Sequence, residues 1–507
     1  MTSNTKTIMF LGTGSDVGKS VTATAFCRIL KRRGVSVAPF KAQNMSNNSF
    51  ITAEGGEIGR AQVVQAEAAG LIPSSDMNPV LLKPSSGLGS QIVIQGRVAG
   101  QMEAAEYHRH KPNLVKAVME SFHRLAEQFD VIVMEGAGSC GEINLKKNDL
   151  VNFGMARRVD APCVLVGDID RGGVFAQIIG SMALMTRKEK DLTKGFIINK
   201  FRGDPDLFND GLDIIQNRTR RPVFGLVPFY ETIHIDPEDS VAVQTDKRPI
   251  VPTQPKKINV AVIKLPGISN FTDVESLERE PDVLVNYLTR SQSLDNYDLL
   301  LLPGTKNVVE DAVWLSRTGW AGRIREFVDA GGWVLGLCGG YQLLGQEVHD
   351  PLGVESPRKK VKALGIMPLV TKLEGDKILR KVDGTELLTG RRIQGYEIHM
   401  GRTQPISEDA ASELTPTVKI RTEGQGPYYL DGYSLDNGRI RGTYVHGLVD
   451  APGFRLEYLN AIRRHKGLPA RKQAAPGHGQ RFKQYDLLAD HYEKYVDVDA
   501  IFKEMGI

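Results

Sequence analysis

The chain has 507 residues, too many for one ordinary domain, and this length indicates two or three domains that each bury a core. Its 64 basic and 60 acidic residues give a net charge of +4, which provides no electrostatic reason to expect nucleic acid as a substrate. The four cysteines show no CxxC pairing, and no apolar run reaches the roughly 18 residues of a membrane span. We therefore expect a cytoplasmic protein without a disulfide framework, a zinc site, a signal peptide or a membrane anchor.

The N-terminal part of the chain alternates short apolar runs with helical patterns, which is typical of a parallel sheet with crossover helices. The predicted strands are TIMFLG, VSVAPF, VIVMEG, CVLVGD and GFIINK. The segment VTATAFCRILKRRG is predicted to be a helix, because it has an apolar stripe, basic residues in its last turn and Gly34 as a stop. We expect residues 1–232 to form the first domain.

A loop with the features of a phosphate-binding site follows the first strand. Small residues let backbone N–H groups turn inward, Lys19 can reach terminal phosphates, and the Ser20 hydroxyl can hold Mg²⁺ at the start of a helix. Five residues rather than four separate Gly12 from Gly18, a spacing similar to that of dethiobiotin-synthetase-like P-loop proteins. The predicted ATP-binding residues of this loop are Gly12, Thr13, Gly14, Gly18, Lys19 and Ser20.

Polar residues at the ends of later strands complete this predicted site. Glu135 ends the strand VIVMEG, and Asp168 and Asp170 end VLVGDID. Lys41 follows the second strand and is predicted to contact phosphate or a substrate carboxylate. Because ligands collect at the carboxyl ends of parallel strands, we expect these side chains to converge on the loop. We predict that Ser20, Glu135 and Asp168 hold Mg²⁺.

A second α/β block follows a segment with the composition of a linker. Residues 233–257 are rich in proline and charge, and we assign them as that linker. The next block begins at INVAVIKLPG and continues through YDLLLLPGT and GGWVLGLCGG to RIRGTYVHG, so residues 258–460 are predicted to form a second domain. The predicted fold is α/β, with two doubly wound parallel-sheet domains, P-loop NTPase-like and then flavodoxin-like.

Residues 461–507 form a predicted extension. Seven Lys or Arg residues and no acidic residue lie between Arg463 and Lys483, and a helix, QYDLLADHYEKYVDVDAIFKEM, follows. The basic run could clamp an anionic substrate or serve as a solvated connector to a docking helix, and we favour the connector.

The segment GGWVLGLCGGYQLLG predicts a strand, a sharp turn and a helix, with Cys338 at the turn. Gly336 and Gly340 permit the close turn, which presents the sulfur at a helix N-terminus. That dipole and a nearby histidine can lower a thiol pKa from about 8.5 enough to give thiolate at neutral pH. We predict that Cys338 is a nucleophile and that the other cysteines are buried structural thiols, namely Cys27, Cys140 and Cys163.

A cysteine nucleophile needs a base, and two histidines of the same domain follow strand-like runs beside glycine. His446 in RGTYVHG follows a buried strand and precedes a turn, so we favour it as the base, with His399 in GYEIHMG second. The tetrahedral intermediate needs backbone N–H donors, which we assign to Gly339 and to the loop at Gly304.

The motifs of the second domain resemble those of class I, or triad, glutamine amidotransferases, which hydrolyse glutamine through a cysteinyl thioester and release ammonia. The resemblance rests on GLCGGYQLLG, LLPGT and YVHG. The glutamate that usually lies two residues past the histidine is here Leu448, and the nearest acid is Asp450. This departure fits the cobyrinic and cobyric acid synthase branch and leaves open what orients His446.

A wider set of motifs, from residue 7 to about residue 450, resembles the cobyric acid synthase family in the family's order. These motifs are FKAQNMSNNS, MNPVLLKPS, MEGAGSCGEINL, VGDIDRGGVFA, INKFRGD, LLPGTKN, GLCGGYQLLG, GYEIHMGRT and GTYVHG. The resemblance implies ATP- and glutamine-dependent amidation of the b, d, e and g carboxylates of adenosylcobyrinic acid a,c-diamide in cobalamin biosynthesis. It places the family's nucleophile on Cys338 and its second active-site residue on His446. It also implies Mg²⁺, no tightly bound prosthetic group, a corrinoid substrate and an internal path for ammonia.

Two alternatives stay open. Cobyrinic acid a,c-diamide synthase shares both domains and differs in its substrate. A ParA/MinD-like P-loop switch ATPase with a non-catalytic second domain would lack glutaminase activity, and the intact Cys338 elbow argues against it. The sequence leaves open whether the chain forms a homo-oligomer, and it does not identify the residues that bind the corrin ring.

Overall fold

The computed structural model describes residues 5–85, 89–236, 250–475 and 479–507. It contains two large sheets, and helices cover both faces of each. This arrangement confirms the predicted α/β class with two doubly wound domains. Residues 237–249 of the predicted linker lie outside the described residues. Within the described part of the chain, no helix combines the length and the apolar character needed to cross a bilayer.

The first half of the chain contains the following strands: β1 Lys6–Gly12, β2 Val37–Phe40, β3 Gln43–Met45, β4 Ser49–Ile51, β5 Glu57–Gly59, β6 Val80–Ser85, β7 Gly89–Ile94, β8 Arg97–Met102, β9 Val131–Glu135, β10 Cys163–Asp168, β11 Thr193–Phe201 and β12 Val223–Pro228. Six of them form a parallel sheet in the order β12-β11-β10-β1-β9-β2. The strands β1, β9 and β10 are buried almost throughout, which explains their continuous apolar sequences.

Alternate residues of β1 belong to different cores, as the period of a strand requires. Met9 and Leu11 lie in the core that includes helix Ala104–Ala126, whereas Ile8 and Phe10 lie in the core that includes helix Lys19–Arg32. The remaining helices of this half are Arg60–Ala68, Phe153–Ala156, Val174–Leu184, Arg187–Leu192 and Asn209–Thr219.

An insertion between β2 and β9 carries two small sheets, β3-β6-β7-β8 and β4-β5, and the helix Arg60–Ala68. The strand β4 contacts the second half of the chain, where the backbone N–H of Ser49 donates to the side-chain oxygen of Asn270 at 3.1 Å. The insertion therefore reaches the second domain.

The second half contains the following strands: β13 Ile258–Ile263, β14 Val283–Leu288, β15 Leu299–Leu302, β16 Trp333–Leu337, β17 Glu347–His349, β18 Lys360–Lys362, β19 Leu369–Glu386, β20 Arg392–Pro405, β21 Thr415–Thr422, β22 Tyr429–Leu435, β23 Ile440–Thr443 and β24 Val445–His446. The strands β14-β13-β15-β16-β23 are parallel and form the core of one mixed sheet. Antiparallel pairing continues from β23 through β22, β21 and β19 to β20, an extension that the sequence analysis did not predict. The helices of this half are Glu275–Glu278, Val308–Arg317, Trp320–Asp329, Gly339–Leu344, Glu408–Ser412 and Pro452–Lys466.

The last two helices, Gly479–Tyr495 and Val498–Met505, return to the first sheet. Leu488 is fully buried in the same core as helix Lys19–Arg32, and the Tyr492 hydroxyl lies 2.9 Å from that of Thr22. The C-terminal extension thus completes the hydrophobic core of the first domain.

The basic run before these helices is not the solvated connector that we favoured. The guanidinium groups of Arg463 and Arg471 donate to Asp282 at 2.8 and 3.1 Å, and the ammonium of Lys466 donates to Asp298 at 2.6 Å. These three cations therefore hold the run against the second domain. The prediction of a solvated connector is wrong for these residues, because it did not take account of acidic partners that lie far away in sequence.

Candidate active sites

The phosphate-loop motif lies between β1 and the helix Lys19–Arg32. Gly18 has a φ of 105°, and a Cβ at this position would lie 2.0 Å from the side-chain nitrogen of Asn199, so only glycine fits. The Lys19 ammonium donates to the carbonyl oxygens of Gly14 and Gly138 at 2.8 and 3.0 Å. The loop thus holds a buried cation at the N-terminus of a helix, an arrangement that binds anions.

Two other loop residues shape this site. A Cβ on Gly12 would lie 2.9 Å from the Lys19 ammonium, so glycine leaves room for the lysine side chain. The Thr13 backbone N–H donates to the carbonyl oxygen of Val166 at 3.0 Å, and its hydroxyl donates to Gln177 at 3.0 Å. These contacts tie the loop to the neighbouring strand β10 and to the helix that follows it.

Glu135 is fully buried at the end of β9, beside the loop. Its carboxylate accepts hydrogen bonds from the Ser20 hydroxyl at 2.8 Å, the Lys41 ammonium at 2.8 Å and the Gln65 amide at 2.6 Å. The structure therefore brings together Ser20, Glu135 and Lys41, three of the predicted site residues. A hydroxyl and a carboxylate are hard oxygen donors, which suit Mg²⁺.

Asp168 is buried at the end of β10, next to β1. One carboxylate oxygen accepts from the Lys200 ammonium at 2.8 Å, and the other accepts from the backbone N–H of Asp170 at 2.8 Å. Asp170 in turn pairs with Arg202 at 2.6 Å. Asp168 thus lies at the predicted edge of the sheet with a basic partner, and its role as an Mg²⁺ ligand stays a prediction.

Cys338 lies at a sharp turn between β16 and the helix Gly339–Leu344, with φ 51° and ψ −111°. Such a conformation is strained for a residue with a side chain and is the geometry of a nucleophile elbow. A Cβ on Gly340 would lie 2.0 Å from the carbonyl oxygen of Leu302, so glycine lets the elbow pack against β15. The Cys338 thiol lies 3.3 Å from the carbonyl oxygen of Ile398 and faces a cavity.

His446 is paired with an acid that the sequence analysis did not identify. Its Nδ1 donates to Asp273 at 2.7 Å, and the other oxygen of that carboxylate accepts from the backbone N–H of Gly447 at 2.8 Å. Burial lowers the pKa of His446, but the Asp273 carboxylate and the Cys338 thiol outweigh burial and raise that pKa to about 10. The three residues therefore have the arrangement of a cysteine, histidine and aspartate triad.

The other predicted groups surround this triad. A Cβ on Gly304 would lie 3.2 Å from the His446 ring, and a Cβ on Gly339 would lie 2.5 Å from the Thr305 methyl group. Both glycines thus lie close to the triad, and their role as oxyanion donors stays a prediction. His399 lines the same cavity, but its ring stacks on Tyr444 and its Nδ1 lies 2.8 Å from the carbonyl oxygen of Gly401. This geometry favours His446 as the base.

A small cavity of about 40 Å³ is lined by Cys338 and His446 of the second domain and by Lys83 of the first. A larger cavity of about 770 Å³ lies behind Asp273 and Gly447, where β4 and the C-terminal segment meet the second domain. In the described residues, neither Cys338 nor Lys19 lines this larger cavity. The Cys338 thiol therefore faces the smaller cavity.

Comparison with known proteins identifies the family. A CobQ/CobB/MinD/ParA nucleotide-binding domain matches residues 8–242, and a CobB/CobQ-like glutamine amidotransferase domain matches residues 259–454. The chain is 48% identical to a cobyric acid synthase of Syntrophobacter fumaroxidans, and the comparison covers 100% of both chains. The chain belongs to the cobyric acid synthase family.

Other relatives agree with this assignment. Cobyric acid synthases of Chlorobaculum tepidum and Dehalococcoides mccartyi are 44% and 43% identical, and each comparison covers 99% of this chain and 98% of the relative. As a member of the cobyric acid synthase family, the chain is a glutamine-hydrolysing amide ligase of cobalamin biosynthesis with an ATP-binding P-loop domain. This result confirms the resemblance that the motifs indicated and sets aside a switch ATPase with a non-catalytic second domain.

Sequence reasoning missed the acid of the triad in this member of the cobyric acid synthase family. The acid nearest to His446 in sequence, Asp450, instead accepts a hydrogen bond from the Ser276 hydroxyl. Asp273 lies 173 residues upstream, in the 3₁₀ turn Phe271–Val274 that follows β13. The sequence contains one signal for Asp273, namely an acid in the turn after the first strand of the second domain. This signal is weak on its own.

Proposed function

We propose that this chain uses ATP and glutamine to amidate the b, d, e and g carboxylates of adenosylcobyrinic acid a,c-diamide in the cytoplasm. The observation that supports this most is the presence, in one chain, of a Cys338, His446 and Asp273 triad and a phosphate loop with buried Lys19 and Glu135. The relatives' activity as cobyric acid synthases, which their name states, supports the corrinoid substrate. We assign residues 1–232 as the synthetase domain, 233–257 as the linker, 258–460 as the glutaminase domain and 461–507 as the C-terminal extension.

The glutaminase half-reaction follows from the triad. The Cys338 thiolate attacks the side-chain amide of glutamine, and backbone N–H groups of Gly304 and Gly339 stabilise the oxyanion. His446, held by Asp273, donates its proton to the departing ammonia, which leaves a thioester on Cys338. Water, which gives a proton to the now neutral His446, then attacks the thioester, releases glutamate and restores the Cys338 thiolate beside the His446 imidazolium.

The synthetase half-reaction uses the phosphate loop. A carboxylate is a poor electrophile, and transfer of the γ-phosphoryl group from ATP converts it to an acyl phosphate that ammonia can attack. Lys19 and the N-terminus of the helix Lys19–Arg32 position the phosphates and balance the charge that develops on them. Ser20, Glu135 and Asp168 would hold Mg²⁺, which supplies further positive charge beside the phosphates when bound.

The decisive experiment is mass spectrometry of adenosylcobyrinic acid a,c-diamide after incubation with the purified protein, Mg-ATP and glutamine. We expect four successive amidations, each of which requires ATP. Glutamine hydrolysis without any change in this substrate would contradict the proposed specificity. In that case, amidation of unamidated cobyrinic acid would identify the chain as a cobyrinic acid a,c-diamide synthase instead.

A further inference from the structure

Three consecutive residues of the first domain lie close to the proposed triad of the second. They are Ser49, Phe50 and Ile51, which form β4. Ser49 and Ile51 are fully buried, and Phe50 is partly buried. Each of the three contacts a residue of the second domain that in turn contacts His446 or Cys338.

The first of these contacts is polar and passes through Asn270. The Ser49 backbone N–H donates to the side-chain oxygen of Asn270 at 3.1 Å, and the side-chain nitrogen of Asn270 lies 3.3 Å from Nε2 of His446. Asn270 precedes the 3₁₀ turn Phe271–Val274, which carries Asp273, the partner of Nδ1. One short segment therefore contacts both ring nitrogens of His446, and the first domain holds that segment at Asn270.

The second contact is aromatic and passes through Tyr396. The rings of Phe50 and Tyr396 pack edge to face with their centroids 4.8 Å apart. Tyr396 in turn stacks on the imidazole of His446, with centroids 5.2 Å apart and an angle of 20° between the planes. The same two residues face each other across the antiparallel strands β20 and β24. The imidazole is thus held on one face as well as at both nitrogens.

The third contact is apolar. Ile51 shares a small core with Tyr396 and Ile398, which both lie on β20. The carbonyl oxygen of Ile398 lies 3.3 Å from the Cys338 thiol. The first domain therefore packs against a residue that contacts the nucleophile, in addition to the two residues that contact the histidine.

Buried charges fix the place of β4 between the domains. β4 pairs with β5, and the Ser49 hydroxyl donates to Glu57 of β5 at 2.7 Å. The fully buried Glu57 carboxylate also pairs with Lys83 of the first domain and with Lys377 of the second. Because loss of one partner would leave a buried charge unpaired, this cluster holds β4 firmly against the second domain.

We propose that β4 of the first domain positions His446 for glutamine hydrolysis, through Asn270 and Tyr396. This inference rests on the proposed triad. It makes Phe50, Tyr396 and Asn270 positioning residues, because they act through the histidine. Catalysis needs the reacting atoms about 3–3.5 Å apart, and a displacement of about 1 Å can cost about 100-fold in rate. The glutaminase site is therefore complete only when the first domain is seated on the second.

The test compares five forms of the full-length protein, namely the wild type, Phe50→Leu, Tyr396→Leu, Tyr396→Phe and the control Tyr428→Leu. Tyr428 lines the larger cavity together with Phe50 and Tyr396, and its ring contacts the cations of Lys419 and Arg421. The readouts are kcat and KM for glutamine hydrolysis, and the rate of amidation of adenosylcobyrinic acid a,c-diamide with ammonium chloride and Mg-ATP.

We expect Phe50→Leu and Tyr396→Leu to lower the glutaminase kcat by about 10-fold or more, because the imidazole loses its support. Their KM for glutamine should stay within about twofold, because neither side chain is among the described residues that line the cavity at Cys338. Tyr396→Phe keeps the stacked ring and should keep kcat within about twofold of the wild type. Tyr428→Leu should match the wild type, and ammonia-dependent amidation should be unchanged in every variant.

A further variant tests the polar contact. Asn270 has φ 49° and ψ 40°, a left-handed conformation that glycine adopts without strain. Asn270→Gly therefore removes the side chain between Ser49 and His446 and leaves the backbone conformation accessible. We expect a fall in glutaminase kcat with unchanged ammonia-dependent amidation. This variant depends on neither aromatic ring, so it carries the test even if Tyr396→Leu does not fold.

A wild-type kcat in Phe50→Leu, Tyr396→Leu and Asn270→Gly would overturn the proposal. A higher KM with unchanged kcat in the two aromatic variants would contradict it, because those side chains would then shape glutamine binding alone. Joint loss of glutaminase and of ammonia-dependent amidation would mark a general structural support and also contradict it. Equal losses in Tyr396→Phe and Tyr396→Leu would exclude ring stacking as the cause. Absence of glutamine hydrolysis from the wild type would instead overturn the proposed triad itself.

Discussion

The carboxylate of Asp273 holds His446 by accepting a hydrogen bond from its Nδ1 at 2.7 Å, across 173 residues of chain. The same carboxylate accepts from the backbone N–H of Gly447, which fixes the carboxylate relative to the turn after the histidine. The other ring nitrogen of His446, Nε2, lies 3.3 Å from the side-chain nitrogen of Asn270, and the ring also interacts with the Cys338 thiol. We propose Asp273 as the acid that orients His446, in place of the glutamate that the resemblance led us to expect at Leu448.

Replacing Asp273 by asparagine should reduce glutaminase kcat/KM by about 100-fold or more, because an imidazole without its carboxylate loses both orientation and basicity. Ammonia-dependent amidation should stay at the wild-type rate, since it does not use the triad. The matched control is Asp450→Asn, which removes the acid closest in sequence to His446. Equal losses in the two variants would contradict the assignment of Asp273.

The pH dependence of glutamine hydrolysis should reflect the contact between Asp273 and His446. The pKa of His446 is raised to about 10, so its imidazolium persists until the pH rises through that value. Above that pH the imidazole is neutral, and the proposed ion pair of thiolate and imidazolium is lost. We expect the alkaline limb of kcat/KM in the wild type near pH 10, and in Asp273→Asn at a lower pH. A profile measured from pH 6 to pH 11 checks this, and an unmoved alkaline limb would exclude Asp273 as the cause.

Lys19→Ala should stop amidation with either nitrogen source, because its ammonium lies inside the phosphate loop and balances charge on the transferred phosphoryl group. The measurement is ATP-dependent amide formation by mass spectrometry. Lys31→Ala, an exposed change in the last turn of the same helix, should leave the rate unchanged. Amidation at the wild-type rate in Lys19→Ala would remove this lysine from the chemistry.

Some features of this protein could be predicted from sequence because they are encoded locally. The phosphate loop and the Cys338 elbow each place strand, turn and helix within about a dozen residues, and glycines mark the positions that a side chain would block. The alternation of apolar runs indicated both parallel sheets for the same reason, since buried parallel strands are apolar throughout.

Other features depend on contacts between residues that are distant in sequence. Asp273 meets His446, and Arg463 meets Asp282, through folding that no local pattern encodes. The antiparallel extension from β22 to β20 was not predicted. Half-buried strands alternate exposed and buried residues, and this pattern does not indicate which strand pairs with which. The Glu57 and Lys377 pair spans both domains and could not be identified from either segment alone.

The C-terminal helix should contribute to the stability of the first domain. Leu488 is fully buried there, whereas its neighbour Leu487 is 37% exposed. Leu488→Ala should destabilise the protein by about 2–5 kcal/mol, the usual cost of such a cavity, and Leu487→Ala by less than about 1 kcal/mol. Thermal unfolding of the two variants provides the comparison, and equal effects would mean that the helix does not dock in this orientation.

The most direct test of the two-site account is the activity of Cys338→Ala with ammonium chloride in place of glutamine. We predict no glutamine hydrolysis and no glutamine-dependent amidation in this variant, together with ATP-dependent amidation of adenosylcobyrinic acid a,c-diamide when ammonium is supplied. Mass spectrometry of the corrinoid reports both outcomes. Failure of ammonium to restore amidation in a folded Cys338→Ala protein would contradict the separation of the two half-reactions.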